Sequence, residues 1–301
     1  MALAGVLAPA VTPFDEQLEP DVPRWIRHCR WLLANGCSGL AIFGTTSEAN
    51  SLSVDERARL LDALIADGID PARLVPGTGC CALPDSVRLT RLAVRAGCAG
   101  VLMLPPFYYK NLSEEGIYRS FATVIDRVAD PRLRVYLYHI PQVSQVGISL
   151  RLIERLLRAY PGVVVGMKDS SGDWSNSKEV LDAFDKFEVF VGTERLLLAN
   201  LRAGGAGCIT AGANVNAAAI DRLYREWRSP HAEHLQAEID AVRALLEGRP
   251  LIAALKATLA HFTGHQGWRR LRPPLVELAE REGQELVNAL SARGFTVPVN
   301  V

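Results

Sequence analysis

The sequence predicts an α/β fold, a (β/α)8 TIM barrel followed by a C-terminal three-helix extension. Short β-rich runs alternate with amphipathic helical runs as far as about residue 228, and no long polar linker interrupts them. Such alternation is typical of a closed parallel barrel. Beyond that point only helical patterns continue, and 301 residues suit one barrel with a helical appendix. We therefore expect a catalytic barrel domain over residues 1–228 and a helical extension packed on it over residues 229–301.

Eight apolar runs, rich in β-branched residues, are predicted as the strands of the barrel. They cover residues 5–14, 39–44, 73–79, 100–107, 134–141, 163–169, 188–193 and 206–211. The turn after the second run lacks the G-x-G-x-x-G pattern of dinucleotide-binding folds. This absence favours the barrel over an open, doubly wound sheet.

Polar caps and apolar spacing predict the helices between these strands. Ser53, with Glu56 three residues later, has the pattern of a capping box, and Ser113 precedes two glutamates that suit a first helical turn. In the fifth connection the apolar spacing predicts a buried face made of Leu150, Ile153, Leu156 and Leu157. Three further helices are predicted at about 230–247, 250–264 and 273–293, and their apolar faces need cover from the barrel.

The composition argues against several classes of function. Lysine plus arginine equals aspartate plus glutamate at 33 each, so no bulk field draws the chain to nucleic acid or to an anionic membrane. The first residues lack a signal-peptide pattern and no long apolar run occurs, so we expect a cytoplasmic protein. The six cysteines include no C-x-x-C pair, which indicates reduced packing residues rather than a zinc site or a disulfide framework.

The most informative strand is the apolar run of residues 163–167, which follows a Pro-Gly turn and leads to Lys168. Its valines indicate a buried strand, so Lys168 lies at the carboxyl end, where α/β barrels carry out their chemistry. Desolvation there disfavours the charged ammonium, and a neutral amine can attack a ketone carbonyl to form a Schiff base. The alternative is a lysine that only marks the strand end. The residues at other strand ends favour the Schiff-base interpretation.

Two other strand ends carry groups that fit this chemistry. The turn after strand two offers Thr45 and Thr46, whose hydroxyls and nearby amides can hold a carboxylate without a cation. In strand five, period-two alternation places Tyr136 and Tyr138 on one face and His139 on the other. A tyrosine facing the barrel interior at a strand end needs a partner, and an imine-forming lysine supplies one. We expect His139, on the opposite face, to be a packed or helix-facing residue.

Several motifs follow one another in an informative order. They are Thr12-Pro13-Phe14, Gly44-Thr45-Thr46-Ser47-Glu48, Pro106-Phe107-Tyr108-Tyr109, Tyr138-His139-Ile140-Pro141, Gly166-Met167-Lys168-Asp169 and the glycine-rich run 204–210. In order and spacing, from about residue 5 to about residue 295, this set resembles the dihydrodipicolinate synthase and N-acetylneuraminate lyase family of class I aldolases.

The resemblance implies a role for each matching residue. Lys168 would form a Schiff base with pyruvate or another 2-oxo acid. Tyr138 would relay protons to and from the imine and the substrate oxygen. Thr45 and Thr46 would hold the carboxylate, with main-chain contacts from Ile209. No cofactor and no metal is implied.

A second tyrosine of the family crosses a dimer interface into the neighbouring site, and Tyr108 matches it. The resemblance therefore implies a homotetramer, a dimer of dimers, with a small 2-oxo acid and an aldehyde or sugar acid as its partners, and neither nucleic acid nor membrane. The predicted catalytic residues are Lys168, Tyr138, Thr45 and Tyr108. The predicted substrate-binding residues are Thr46, Ile209, Ser47 and Gly192.

Two positions depart from the family pattern. Ser47 stands where the family usually has a third glycine in the turn after strand two, and its hydroxyl could lie near the carboxylate. True dihydrodipicolinate synthases carry an arginine after strand five for the carboxylate of the second substrate, whereas residues 141–147 contain none. Without this bidentate cation, the second substrate is not expected to place a carboxylate beside residues 141–147. This favours the neuraminate lyase and sugar-acid aldolase branches of the family. The pocket for the second substrate is expected to include Ser144, Gln145, Ser171, Thr193 and Asn214.

We therefore expect a lyase that makes or breaks a carbon–carbon bond through a Schiff base with pyruvate or a 2-oxo acid, on a 2-keto-3-deoxy sugar acid type of substrate. Three alternatives remain open. The same intermediate serves a 2-keto-3-deoxy acid dehydratase or an imino-acid deaminase. The chain could also be a 4-hydroxy-tetrahydrodipicolinate synthase, or a non-catalytic 2-oxo acid binding protein on the same scaffold.

Overall fold

Seven parallel strands form one curled sheet in the computed structural model, which describes residues 3–297. The strands are β1 (Gly5–Ala8), β2 (Gly39–Leu40), β3 (Val101–Met103), β4 (Val135–His139), β5 (Val164–Asp169), β6 (Glu188–Val191) and β7 (Gly207–Ile209). Their order across the sheet is β2-β1-β7-β6-β5-β4-β3. Every pairing is parallel, and helices connect the strands, so the predicted α/β barrel is confirmed.

The predicted third strand is not a regular strand, although it occupies the expected place in the barrel. Leu74 bridges to Leu40 of β2, and Gly77 bridges to Leu102 of β3, both in parallel. Pro76 lies between them and has no N–H to donate, so a continuous ladder cannot run through this segment. The segment closes the ring between β2 and β3, and the prediction of eight regular strands was wrong at this position.

Most strands are shorter than predicted. β1 ends at Ala8 rather than at residue 14, because Pro9 and Pro13 lack the amide hydrogens that would extend its pairing. β2 contains only Gly39–Leu40. The residues beyond these short strands form the loops at the carboxyl edge of the sheet.

Twelve α-helices flank the sheet within residues 3–297. They are α1 (Val22–Ala34), α2 (Val54–Ala66), α3 (Leu83–Ala96), α4 (Glu114–Val128), α5 (Pro141–Ser144), α6 (Leu150–Ala159), α7 (Trp174–Ala183), α8 (Leu197–Arg202), α9 (Ala213–Glu226), α10 (Ala232–Glu247), α11 (Leu251–Thr263) and α12 (Glu280–Ala292). The predicted caps are confirmed, since Ser53 forms the capping box with Glu56 and Ser113 caps α4. The predicted buried face of α6 was wrong at Leu150, which is 37% exposed, while Leu152 is buried.

All three predicted C-terminal helices are present, as α10, α11 and α12. The third begins at Glu280 rather than near residue 273, because Pro273 and Pro274 cannot continue a helical hydrogen-bond ladder. The predicted helix over residues 273–293 would place Leu275 and Val276 on its buried apolar face. They lie instead in the irregular segment before α12 and are 37% and 74% exposed. The division of the chain at residue 228 stays a prediction.

An apolar cluster fills the inside of the barrel. Its members are Leu7, Ala41, Val75, Leu102, Tyr136, Tyr138, Ile140, Phe190 and Ile209. Leu137 packs instead in the outer layer, between strands and helices. His139 also points outward, and its Nδ1 accepts a hydrogen bond from the Ile148 amide at 3.1 Å. Burial lowers the pKa of His139. The predicted alternation along β4 and the packed role of His139 are therefore confirmed.

The C-terminal helices share one apolar core with the helices of the barrel. Leu255 and Leu259 of α11 are fully buried in the same cluster as Trp25 of α1 and Leu223 of α9. Burial at this scale stabilises by roughly 1.5–3 kcal/mol for each large apolar side chain. The extension is thus packed against the barrel, as its apolar faces predicted.

All six cysteines are free, and Cys29, Cys37 and Cys208 are buried packing residues, as predicted. Cys81 differs, because it is exposed. Within the described residues, no helix has both the length and the apolar character needed to cross a membrane.

Asn214, at the start of α9, ties that helix to the end of β1. Its Oδ1 accepts hydrogen bonds from the Val11 amide and from His28 Nε2, both at 2.9 Å. Its Nδ2 donates to the carbonyl oxygens of Pro9 at 3.1 Å and Ala211 at 3.0 Å. Asn214 is fully buried, so water cannot replace these partners. The predicted place of Asn214 in the substrate pocket was wrong.

Replacing Asn214 by alanine should destabilise the protein by at least about 2 kcal/mol, because each buried group left without a partner costs roughly 1–3 kcal/mol. Thermal unfolding followed by circular dichroism measures the change. Asn288→Ala on the exposed face of α12 is the matched control and should alter stability by less than about 0.5 kcal/mol. Equal effects of the two substitutions would contradict this role for Asn214.

Candidate active site

A cavity of about 650 Å³ opens at the carboxyl ends of the strands. Five residues predicted for the site line it, namely Lys168, Tyr138, Thr45, Thr46 and Gly192. They follow or end four different strands, and parallel strands place such ends at one edge of a barrel. The structure therefore brings together an amine, a phenol and two hydroxyls that are distant in sequence.

The amine of Lys168 lies at the base of this cavity beside the phenol of Tyr138. Lys168 Nζ is 3.4 Å from Tyr138 Oη, and Tyr138 Oη is 3.2 Å from Thr45 Oγ1. Both the lysine and the tyrosine are 4% exposed. The three polar atoms form a chain along which protons can move between an amine and a hydroxyl at the cavity wall.

Strand register explains why these two side chains meet. Lys168 on β5 pairs with Tyr138 on β4 and with Phe190 on β6. Side chains of paired residues on neighbouring parallel strands lie on the same face of the sheet, so the Lys168 amine lies beside Tyr138, 4.5 Å from the centroid of its ring. Gly166 allows this packing, because a Cβ there would lie 2.3 Å from the Glu188 carbonyl oxygen.

The backbone after Lys168 is held by the next residues of the chain. Asp169 accepts hydrogen bonds from Ser177 Oγ at 2.6 Å and from Asn176 Nδ2 at 2.8 Å, which fixes the end of β5 to α7. The Gly192 amide donates to the Asp169 carbonyl at 2.6 Å. A Cβ on Gly192 would lie 2.1 Å from Ser170 Oγ, so only glycine fits this cavity wall without a shift.

The segment 44–48, which we name the threonine turn, presents backbone donors to the cavity. Hydrogen bonds from the amides of Ser47 and Glu48 to the carbonyls of Gly44 and Thr45, both at 3.1 Å, close the turn. The amides of Thr45 and Thr46 have no hydrogen-bond partner within residues 3–297. Two free amides and two hydroxyls can together hold a carboxylate without a cation.

The threonine turn ends in a left-handed residue. Glu48 has φ +56° and ψ +36°, a conformation that costs energy for a residue with a side chain. Its buried carboxylate forms an ion pair with Lys256 of α11 and accepts a hydrogen bond from the Arg272 amide at 3.1 Å. Lys256 Nζ also donates to the Arg270 carbonyl at 2.7 Å. Burial lowers the pKa of Lys256 to about 8, against the opposing effect of Glu48. The C-terminal extension thus holds the turn in place.

Arg272 adds a second connection between the extension and the residues after the threonine turn. Its guanidinium binds both carboxylate oxygens of Glu56, at 3.0 and 2.5 Å, and donates to the Ser51 carbonyl at 2.7 Å. The hydrogen bond from Arg272 lowers the pKa of Glu56 to about 2. The start of α2 is therefore tied to the C-terminal segment by a bidentate pair.

Three predicted site residues do not line the cavity. Ser47 is buried, and its hydroxyl has no partner within residues 3–297. Ile209 is packed inside the barrel. Tyr108 is 73% exposed and stacks edge-to-face on Tyr109. The roles assigned to these three residues stay predictions.

Of the residues expected around the second substrate, only Thr193 lines the cavity. Ser144 is buried and donates to the Ile140 carbonyl at 3.0 Å, so it shapes the loop after β4. Gln145 lines a separate surface cavity, and Ser171 lines neither of these two cavities. The conformation of the loops decides where these side chains point, and the periodicity of the strands carries no information about it.

Sequence analysis missed several residues that line the cavity. Gln142 and Ser170 come from the loops after β4 and β5, and Arg243 and Glu247 come from α10. An apolar wall is formed by the C-terminal segments, with Leu251, Ile252, Leu271, Leu275 and Val276 among its members. The one sequence signal was the absence of an arginine after the fifth predicted strand, which is β4 in the structure. It indicated that a polar group for the second substrate had to come from another segment of the chain. Within the described residues, no three His, Cys, Asp or Glu side chains are placed to share a metal ion.

Comparisons with known proteins place this geometry in context. The model of the dihydrodipicolinate synthetase family matches residues 2–293. An uncharacterized DapA-like lyase of Chloroflexus aurantiacus is 36% identical over 285 residues, which span 92% of this chain and 93% of the relative. A 4-hydroxy-tetrahydrodipicolinate synthase of Desulforamulus reducens is 30% identical over 290 residues, 95% of this chain and 96% of that protein. The crystal structure of dihydrodipicolinate synthase from Agrobacterium tumefaciens has a TM-score of 0.87 at 33% identity and covers 96% of this chain and 98% of its own.

Replacing Lys256 by methionine should destabilise the protein by about 3–5 kcal/mol, because Glu48 is left as a buried, uncompensated charge. The double variant K256M/E48Q removes both charges and should cost less than K256M alone. Urea denaturation measures the two free energies of unfolding.

The exposed pair Lys178–Asp182 provides the control. Lys178→Met should change the free energy of unfolding by less than about 1 kcal/mol, because surface ion pairs contribute little. If K256M costs no more than K178M, the proposed role of the buried pair is wrong.

Proposed function

Because the chain belongs to the dihydrodipicolinate synthetase family, whose members are Schiff-base-forming lyases, we propose that it is a reversible class I aldolase acting on 2-keto-3-deoxy sugar acids. Pyruvate, or another 2-oxo acid, binds first and forms an imine with Lys168. An aldehyde is the second substrate in condensation and the second product in cleavage.

One observation carries this proposal. The only amine lining the cavity within residues 3–297 is that of Lys168, and it lies 3.4 Å from a tyrosine hydroxyl that is itself 3.2 Å from a threonine hydroxyl. A buried amine next to a proton relay suits carbinolamine formation and dehydration. Ion pairing of this lysine would argue for a structural role, and no carboxylate within the described residues pairs with it.

The first stage forms the imine. The free amides of Thr45 and Thr46 hold the carboxylate of the 2-oxo acid and place its ketone over Lys168. The amine attacks the carbonyl carbon, and the oxygen leaves as water after Tyr138 protonates it. The protonated imine then acts as an electron sink.

The second stage breaks the carbon–carbon bond. Tyr138 takes the proton of the C4 hydroxyl, the C3–C4 bond breaks, and its electron pair moves to C3 to form the enamine while the aldehyde departs. Protonation at C3 restores the imine, and water releases pyruvate from Lys168. One positioned acid or base of this kind contributes roughly 10²–10⁴-fold to the rate.

Cavity size favours a substrate larger than pyruvate. At no more than the roughly 30 Å³ share of a water molecule for each heavy atom, pyruvate fills about 180 Å³. Most of the 650 Å³ cavity is then left for the second substrate. With no arginine in residues 141–147, the loop after β4 offers neutral groups such as Gln142 to this part of the cavity.

A 4-hydroxy-tetrahydrodipicolinate synthase is the second candidate. It is favoured by the relatives that carry this name. The products identify an aldolase, because its cleavage of a 2-keto-3-deoxy acid releases pyruvate and an aldehyde. A dehydratase or deaminase would release water or ammonia instead.

We further propose that the active assembly is a homotetramer. Tyr108 and Tyr109 are 73% and 71% exposed and lie outside the cavity of their own chain. Large exposed aromatics of this kind are enriched at protein interfaces. A second copy of the chain would cover them, and Tyr108 would then reach a neighbouring cavity.

Exchange of the pyruvate methyl hydrogens in deuterium oxide tests the first stage without a second substrate. The unmodified protein should catalyse exchange through the enamine, Lys168→Ala should abolish it, and Tyr138→Phe should slow it by roughly 10²–10⁴-fold. Proton NMR follows the loss of the methyl signal. Lys178→Ala, which removes an exposed lysine, is the control.

A panel of 2-keto-3-deoxy acids, assayed for pyruvate release, tests the second stage. Pyruvate and an aldehyde in equal amounts support the aldolase. Exchange that persists in Lys168→Ala, or turnover with no pyruvate released, would contradict the proposal.

A further inference from the structure

Arg243 enters the cavity from α10, outside the barrel strands. Its side chain is 8% exposed and is held on two sides. Nε donates to Glu247 Oε1 at 2.8 Å, and Nη1 donates to Glu194 Oε2 at 3.1 Å. Thr210 Oγ1 shares the Glu194 carboxylate. The guanidinium plane is therefore fixed, with its position set by barrel residues after β6 and β7.

The remaining nitrogen of this guanidinium is Nη2, at the end of a side chain that lines the cavity. It has no hydrogen-bond partner within residues 3–297. Nη2 is accessible to solvent, unlike Nε and Nη1 of Arg24, which are buried and have no hydrogen-bond partner within the described residues. A fixed guanidinium whose Nη2 amino group is unpaired at a cavity wall is a directed hydrogen-bond donor.

Charge around Arg243 limits what this donor can bind. Arg243 and Arg195 face the carboxylates of Glu194 and Glu247, so these four charges cancel. Asp240, which also neighbours Arg195, adds one further negative charge. A carboxylate on the substrate would therefore meet no net positive field, and its desolvation would be poorly compensated.

A hydroxyl group on the substrate fits this part of the cavity, because it is uncharged and can both accept and donate a hydrogen bond. Its oxygen can accept from Arg243 Nη2, and its hydrogen can be donated to Glu247, whose side chain is 35% exposed and also lines the cavity. The apolar part of the cavity wall, with Leu251, Ile252 and Leu271, offers no side-chain hydrogen-bonding groups. Of these two parts of the wall, only the α10 side can hydrogen-bond a polar substituent through its side chains.

We infer that Arg243 and Glu247 form a subsite for a hydroxyl group of the second substrate, and that they determine the preference for hydroxylated over plain aldehydes. This inference rests on the proposed aldolase function and specifies its substrate class. It also explains how a site without an arginine after β4 can select a polyhydroxylated product.

Condensation of pyruvate with three aldehydes tests the subsite. Glyceraldehyde carries hydroxyls, propionaldehyde carries none, and succinic semialdehyde carries a carboxylate. The kcat/KM ratio of glyceraldehyde to propionaldehyde should fall roughly ten- to hundredfold in Arg243→Lys, which keeps the charge beside Glu194 but has no second terminal nitrogen to reach the substrate. Glu247→Gln should lower the same ratio by about three- to tenfold.

Glu238→Gln, on an exposed face of α10, is the matched control and should leave the ratio unchanged. An equal loss for both aldehydes in Arg243→Lys would indicate a purely structural role and overturn the inference. A loss confined to succinic semialdehyde, or no turnover of glyceraldehyde by the unmodified protein, would overturn it as well. If the unmodified protein also fails to exchange the pyruvate methyl hydrogens, the proposed function itself is wrong. If the protein exchanges the pyruvate methyl hydrogens but does not prefer the hydroxylated aldehyde, only the proposed subsite is wrong.

Discussion

The buried ion pair between Glu48 and Lys256 is the interaction on which the arrangement of the site depends. Both side chains are fully buried, so the pair is only tolerable because each charge has further partners in Arg270 and Arg272. Glu48 adopts a left-handed conformation at the end of the threonine turn. The pair therefore holds a strained turn in place, and the position of this turn determines where Thr45 contacts Tyr138.

This constraint makes the C-terminal extension part of the active site. The helix that supplies Lys256 also begins with Leu251 and Ile252, which line the cavity, and the preceding helix supplies Arg243. Residues of α10 and α11 line the same cavity as Lys168, and they give it a polar wall and an apolar wall. Under the proposed function, the strand ends supply the reacting groups, and the extension supplies the side chains proposed to select the substrate.

The sequence was sufficient for the features that depend on local periodicity. Alternation in β4 placed Tyr138 inward and His139 outward, and the position of Lys168 at a strand end placed it at the carboxyl edge of the barrel. Features that depend on contacts between distant segments could not be predicted. Arg243 reaches the cavity only because α10 packs against the segments that follow β6 and β7. The irregular third strand reflects a single proline, and the exposed Tyr108 depends on loop conformation.

Borohydride trapping with pyruvate tests the central claim most directly. Reduction should fix the imine, and peptide mass mapping should find the mass of one reduced pyruvate on Lys168 alone. Lys256 serves as an internal reference, because it is buried and paired with Glu48 and should remain unmodified. An unmodified Lys168, or adducts spread over the exposed lysines, would contradict the assignment of this residue as the Schiff-base amine.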